Sequence, residues 1–365
     1  MPDFTKESAS PYLLNVKSFL PLCAIGILFV SGCASPAGYL VKQGGYLLRT
    51  STGTRTLKSV IEDPATPAET RQFLLRVRDI KAFAVQSIGL SNNDNYTRYK
   101  DLDRDHLVDV VQACDAASFD TYMWSYPLLG RLPYRGYYER PDADAEASRL
   151  RAQGYDVIVR PVDAFSTLGF TKDPVYSFMK GYSAFQIASL VIHEQTHATL
   201  FLKGQADFNE EMASFVGDEG AFEWLKSTYG EGSPEYRGAV DEKADSDLFV
   251  SLLHGLSARL RIVYEDGMPR EEKLKQKAQI IEEFKRSLTG PNAPQFRTPV
   301  YGKLGTITLN NAVLSLYSLY SDDIPLLRAW FEQRCNGSLK RFMGSMKELA
   351  ARGDVKSQLR QGGLR

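Results

Sequence analysis

The stretch from Phe185 to Leu202 is apolar nearly all round, yet it carries His193, Glu194 and His197. The run Ile187-Ala188-Ser189-Leu190-Val191-Ile192 leads directly into His193. A helix that is apolar on every side is a buried helix, and polar groups taken into burial need partners or a metal. The chain must therefore fold around this segment and bring compensating groups to one place on it. The spacing His193-Glu194-Gln195-Thr196-His197 puts two imidazoles one turn apart on the same face. Such a pair can hold one metal ion, and Glu194 can reach a water on that metal. Zinc with two His ligands, an open position and a carboxylate base is equipped to hydrolyse an amide. The plainer alternative is a buried helix with two incidental His and an exposed Glu. It fits poorly with the burial and with a chain that has only four His: His106, His193, His197 and His254.

A catalytic zinc usually takes three protein ligands. A Gly at 200 with a His at 203 would supply the third locally, but Leu200 and Lys203 stand there. His254, Asp207, Glu210, Glu211, Asp218 and Glu219 are the candidates. Lys203-Gly204 is expected to end the first helix, and Asp207 or Asn209 to start a second. So short a connection makes the two helices antiparallel neighbours. On the second helix Glu210 shares a face with Ala213, Ser214 and Gly217, small residues that permit close approach. Glu219 lies with bulky Met212, Phe215 and Val216, and Glu211 with Ser214 and Asp218. Glu210 is thus the expected third ligand. The competing reading is a capping box from Asp207 to Glu210, with acids suiting the first turn of a helix.

The N-terminus reads as an address. Phe19 to Val30 is a short apolar run behind Lys17, suited to a signal-peptide core and short for a span. It ends Val30-Ser31-Gly32-Cys33, which resembles the lipobox of bacterial lipoproteins. The resemblance implies cleavage after residue 32, lipidation of Cys33 and, with Ala34 following, an outer-membrane anchor facing the periplasm. Cys114 and Cys335 would remain, as a pair or as separate buried thiols. Lysine plus arginine and aspartate plus glutamate each number 44, interspersed, which argues against a nucleic-acid partner. The rest of the chain, 33–365, is expected to be one domain.

Along that domain, 33–100 reads as helical, with two helices in 54–90 broken at Asp63-Pro64-Ala65-Thr66-Pro67. Residues 101–220 carry a small sheet and the metal-site helices. Val108 to Gln112, Thr121 to Trp124, Asp156 to Arg160 and Ala164 to Leu168 are the expected strands, with an irregular linker at 127–133 and a helix over 142–153. Residues 221–365 read as helices over 221–229, 240–264, 270–288 and from Leu309 to Tyr320. Another opens at Pro325, and a polar tail that frays follows Gly353. The expected class is α+β, mostly helical.

Several short motifs stand in one order over 38–349: Leu102-Asp103-Arg104, Tyr134-Arg135-Gly136-Tyr137-Tyr138, Gly154-Tyr155-Asp156-Val157, Ala164 to Phe170, Asp173-Pro174, His193-Glu194-x-x-His197, Phe208-Asn209-Glu210 and Leu309-Asn310-Asn311-Ala312. In these the chain resembles a bacterial family of predicted zinc aminopeptidases of the gluzincin type. The resemblance implies a zincin-like domain, with Zn2+ held by His193, His197 and Glu210 and Glu194 as general base. Its Asn-Glu-x-x-Ala pattern, Asn209 to Ala213, supports Glu210. Members often carry an acid where this chain has Gly217. A peptide or protein would be the substrate, with Ser166, Thr167, Leu168 and Gly169 as its binding edge and Glu211 as a grip on a free amine. Tyr320 and Tyr317 are candidates for stabilising the oxyanion, with His254 and Tyr138 also open, and Asp218 is a candidate for orienting a His. The other class in view is a catalytically inactive lipoprotein acting as scaffold or envelope chaperone.

Overall fold

A computed structural model describes residues 38–39, 42–43, 45–46, 52–126, 130–162, 173–289, 293–301, 307–318 and 323–362. Cys33, Tyr320 and the 166–169 segment lie outside these. Along the described chain run β1 (Arg55–Thr56), α1 (Leu57–Ile61), α2 (Ala68–Phe83, continued by a π-helical turn Ala84–Ile88), β2 (Arg98–Lys100), β3 (Val108–Asp115), β4 (Trp124–Tyr126), β5 (Gly130–Leu132), β6 (Tyr134–Tyr137), α3 (Arg140–Ala152), β7 (Tyr155–Val162) and β8 (Val175–Tyr176). Helices then take over: α4 (Ala184–Thr199), α5 (Ala206–Tyr229), α6 (Pro234–Glu265), α7 (Arg270–Ser287), α8 (Asn311–Ser318), α9 (Ile324–Cys335), α10 (Leu339–Arg352) and α11 (Val355–Gly362). The class is α+β, mostly helical with small sheets. No helix among the described residues is long and apolar enough to cross a membrane.

The described residues form two compact units. The first comprises 108–162 and 232–320. In it β3 is the centre of a three-stranded antiparallel sheet, between β6 and β7, and β4 pairs with β5. The 127–133 stretch is thus partly strand rather than an irregular linker, because Arg131 and Leu132 find partners in Ser125 and Trp124. Helices α6 and α7 turn about Asp266 to Pro269, where Asp266 caps the turn by accepting from Met268 N–H at 2.9 Å. They bury Phe249, Leu253, Leu256 and Leu260 against Ile281 and Phe284.

Two of the motifs meet in this unit. Asp156 accepts the Asn311 N–H at 2.6 Å and pairs with the buried Lys277. Asn311 in turn donates to the Asp115 and Ser118 carbonyls, both at 2.9 Å, and accepts from Tyr264 Oη at 2.8 Å. Asn310 reaches the Val157 carbonyl at 3.2 Å. Buried Asn311 and Lys277 are satisfied by these partners, which is how a core tolerates them. The Tyr155-Asp156-Val157 and Asn310-Asn311 motifs therefore join the sheet to α8.

The second unit comprises the described residues of 10–107, 163–231 and 321–365. Its small sheet has β2 between β1, antiparallel, and β8, parallel. The predicted helix over 221–229 proves to be the second half of α5, which runs unbroken for 24 residues. Gly217 and Gly220 do not interrupt it, because they sit against α4 and give the two helices a close approach. As far as Gly362 the tail after Gly353 does not fray. Val355 and Leu359 of α11 are buried, and Lys356 Nζ stands 2.7 Å from Asp323 Oδ2, so the polar residues that suggested a loose end hold it down. Cys114 and Cys335 are free and buried. Burial pushes the Cys114 thiol up to about 12, far from a reactive thiolate.

Candidate metal centre

Helix α4 starts with a capping box: Ser183 accepts from Gln186 N–H and Gln186 accepts from Ser183 N–H, each at 3.1 Å. It ends at Thr199, four residues before the expected stop at Lys203-Gly204. Thr199 donates back to the Gln195 carbonyl at 2.6 Å and accepts the Ser91 N–H at 2.8 Å, and Leu200 is extended. Gly204 still serves a turn, at φ +79. Neither Asp207 nor Asn209 starts α5; Gln205 precedes the helix and makes no side-chain cap. Asn209 instead clamps the connection, accepting from Leu202 N–H and donating to its carbonyl, both at 2.8 Å. With no cap formed at its start, α5 has no capping box between Asp207 and Glu210, and the Glu210 carboxylate points elsewhere.

It points at the two imidazoles. Glu210 Oε1 lies 3.3 Å from His197 Nε2 and Oε2 lies 3.7 Å from His193 Nε2, while the two Nε2 atoms are 3.0 Å apart. All three residues are buried, and their ligand-type atoms lie within 4.8 Å of one another. Ligands about 2.0–2.2 Å from a tetrahedral ion stand about 3.3–3.6 Å apart, so the observed separations are close to what one zinc ion requires. Two nitrogens and a carboxylate oxygen are also a donor set zinc accepts.

The electrostatics of the cluster is set by a contest between burial and charge. Burial raises the Glu210 pKa, but hydrogen bonds from the two His win and hold it down at about 2. Burial lowers His193, yet the Glu210 bond and the charges of Glu194, Glu210 and Asp218 bring its net shift upward. His197 ends lowered, burial first, Glu210 opposing and His193 adding to the fall. The carboxylate is thus ionised at neutral pH, the state in which it ligates a metal.

Glu194 is on the same turn of α4 and is 1% exposed. The neighbouring face of α5 is as small as the sequence suggested. Ser214 Oγ lies 3.5 Å from His193 Nδ1, and a Cβ on Gly217 would meet the Ser189 carbonyl at 2.9 Å and His193 Cβ at 3.2 Å. No acid fits at 217; the next residue, Asp218, accepts from Ser189 Oγ at 2.8 Å and contributes to the field at His193. Ser189 and Ser214 are site neighbours that the residue spacing does not assign a role. Their signal was present, since each stands four residues from a candidate ligand on its own helix.

Glu211 is buried next to the cluster, with Oε2 accepting the Asp323 N–H at 2.8 Å, which gives its carboxylate a structural task. His254 belongs to the first unit, with Nε2 2.6 Å from the Tyr317 carbonyl. Tyr317 packs edge to face on Phe249, ring centroids 5.5 Å apart, in that same unit.

A protein-family model described as "Putative aminopeptidase" matches residues 38–360. The chain belongs to this family. No curated protein and no solved structure matches it. Membership in the aminopeptidase family covers both units, the metal-type cluster and the Asp156–Asn311 network alike.

Proposed function

We propose that the protein is a zinc-dependent aminopeptidase in which His193, His197 and Glu210 hold the metal and Glu194 is the general base. The observation that carries this is the buried His193–His197–Glu210 cluster, brought together from two helices with Glu194 on the same turn. A zinc ion held there would supply a Lewis acid, polarising the scissile carbonyl and easing ionisation of the attacking water. Glu194 takes the proton of that water and returns it to the leaving amine. Ser214 stands at His193 Nδ1 and restrains the ring whose orientation the metal needs, while Asp218, bonded to Ser189, acts on that ring through its charge. Asn209 and Gly217 act through the helix pair, keeping Glu210 within reach of both imidazoles. The description of the family supports cleavage at a free N-terminus.

Metal content and products test this together. Protein made in zinc-replete medium is expected to carry one zinc per chain, and Glu210→Ala to lose most of it. Mass-spectrometric mapping on an unstructured peptide is expected to show residues removed one by one from the N-terminus. A wild-type protein without zinc would sink the reading, and internal cuts would make it an endopeptidase.

We also propose that the chain is lipid-anchored through Cys33 in a bacterial envelope, facing the periplasm. The apolar run from Phe19 to Val30 and the Val30-Ser31-Gly32-Cys33 sequence support this. Labelled palmitate should enter the wild type expressed in a bacterium and not Cys33→Ala; label in both would refute it.

A further inference from the structure

Helix α5 uses two faces. Glu210, Ser214 and Gly217 meet α4. Glu211, Phe215 and Glu219, spaced four apart, form a second stripe on the other side of the helix, and α9 covers it. Phe215 packs edge to face on Phe331, ring centroids 5.5 Å apart. The Arg328 guanidinium lies over the Phe215 ring at 5.2 Å and pairs with Glu219 at 2.7 Å. Glu211 closes this seam at the end beside the metal ligand, where its Oε2 accepts the Asp323 N–H at 2.8 Å.

The bond to Asp323 takes the place of a cap. Asp323 precedes α9, and in a capping box a Glu or Gln three residues on would bind its N–H. Leu326 stands there and cannot, so Glu211 does that task from another helix. The Asp323 side chain makes no cap on α9. Its buried carboxylate turns to α11, with Oδ2 2.7 Å from Lys356 Nζ and Oδ1 4.0 Å from Arg360 Nη2. Two buried acids brought together demand positive charge, and α11 supplies it, held down by Val355 and Leu359. The start of α5 shows why such an anchor matters. No side chain caps that end, and the first N–H groups of a helix have no partner within it. Glu210 must nevertheless keep its place on the second turn, 3.3 Å and 3.7 Å from the two imidazoles. Its two sequence neighbours are both buried and both fastened, Asn209 to Leu202 and Glu211 to Asp323.

We propose that Glu211 is a positioning residue for the metal ligand beside it. By holding the Asp323 N–H, with Lys356 neutralising Asp323, it fixes the rotation of α5 about its axis so that Glu210 faces His193 and His197. The C-terminal helix α11 is thereby part of the support of the metal centre. The proposal rests on the zinc reading above.

Zinc dissociation constants test it, measured on the full chain against a competing chelator, well below the thermal midpoint of the zinc-free protein. Glu211→Ala is expected to weaken zinc binding about 10- to 100-fold, the range for losing a group that orients a ligand. Glu211→Gln keeps an oxygen for the Asp323 N–H and should retain wild-type zinc affinity, kcat and KM. Lys356→Met should weaken zinc in the same direction and by less. Equal zinc affinities for Glu211→Ala and wild type overturn the proposal, and a lowered midpoint beside them shows a packing role alone. A KM raised in Glu211→Gln, with zinc affinity unchanged in Glu211→Ala, also overturns it and assigns the carboxylate to the substrate's free amine. Should Glu211→Ala fail to fold, Lys356→Met decides, and unchanged zinc affinity in it overturns the proposal. A wild type that binds no zinc defeats the zinc reading, and Glu211 with it; a zinc-binding wild type matched by Glu211→Ala defeats the Glu211 proposal only.

Discussion

Glu194→Gln is expected to lower peptide hydrolysis by about 10²–10⁴-fold, the usual contribution of a general base, while zinc content stays at the wild-type level. The substitution is isosteric, and Glu194 is 1% exposed, so the packing around α4 has little reason to change. What changes is that an amide cannot take a proton from the attacking water. Glu194 is also one of the charges that raise His193, so its loss makes that imidazole slightly easier to deprotonate and does not weaken it as a ligand. Rate and metal content should therefore separate. Activity close to wild type in Glu194→Gln would move the base elsewhere. A wild type that holds zinc and hydrolyses nothing would favour the scaffold or chaperone role over the enzyme.

Gly217→Ala is expected to destabilise the second unit and loosen zinc. An alanine Cβ would stand 2.9 Å from the Ser189 carbonyl oxygen and 3.2 Å from His193 Cβ, both on α4. A backbone oxygen in a helix cannot retract by itself, so α4 and α5 must separate, and Glu210 moves away from the imidazoles with its helix. Overpacking of this kind costs about 1–3 kcal/mol, against an intrinsic gain of about 1 kcal/mol from replacing a helical glycine by alanine. The control isolates the contact. Gly344 in α10 has nothing within 4 Å of a Cβ, so Gly344→Ala shows the propensity gain alone and should raise the thermal midpoint. Gly217→Ala should lower it and weaken zinc binding about 10-fold or more. Equal midpoints and zinc affinities for Gly217→Ala and wild type would refute the account of the helix pair.

Much of the second unit's site could be read from residue spacing. Two imidazoles four apart share a face in any α-helix, and Glu210, Ala213, Ser214 and Gly217 share one in α5, because both patterns depend only on helical periodicity. The ends of those helices were less legible. Lys203-Gly204 looked like a stop, yet α4 ends at Thr199, where the hydroxyl turns back on Gln195 and meets Ser91 from 108 residues away. Asn209 looked like a cap and became a clamp on Leu202, a task it can take only once the loop has folded over it. The tail after Gly353 looked loose because its anchors, Lys356 to Asp323 and the burial of Leu359, are contacts between distant segments.

The sequence by itself determined the chemistry that this chain carries. An apolar helix with His193, Glu194 and His197 on it, and an acid on the small face of the next helix, follow from local periodicity and from the cost of burying polar groups. Tertiary structure alone decided what surrounds them. The hold of Glu211 on Asp323, the reach of Ser91 to α4, the missing room at 217 and the turn of Asp218 toward Ser189 come from pairs far apart in the chain. No spacing rule encodes such pairs, because each exists only after two elements have packed.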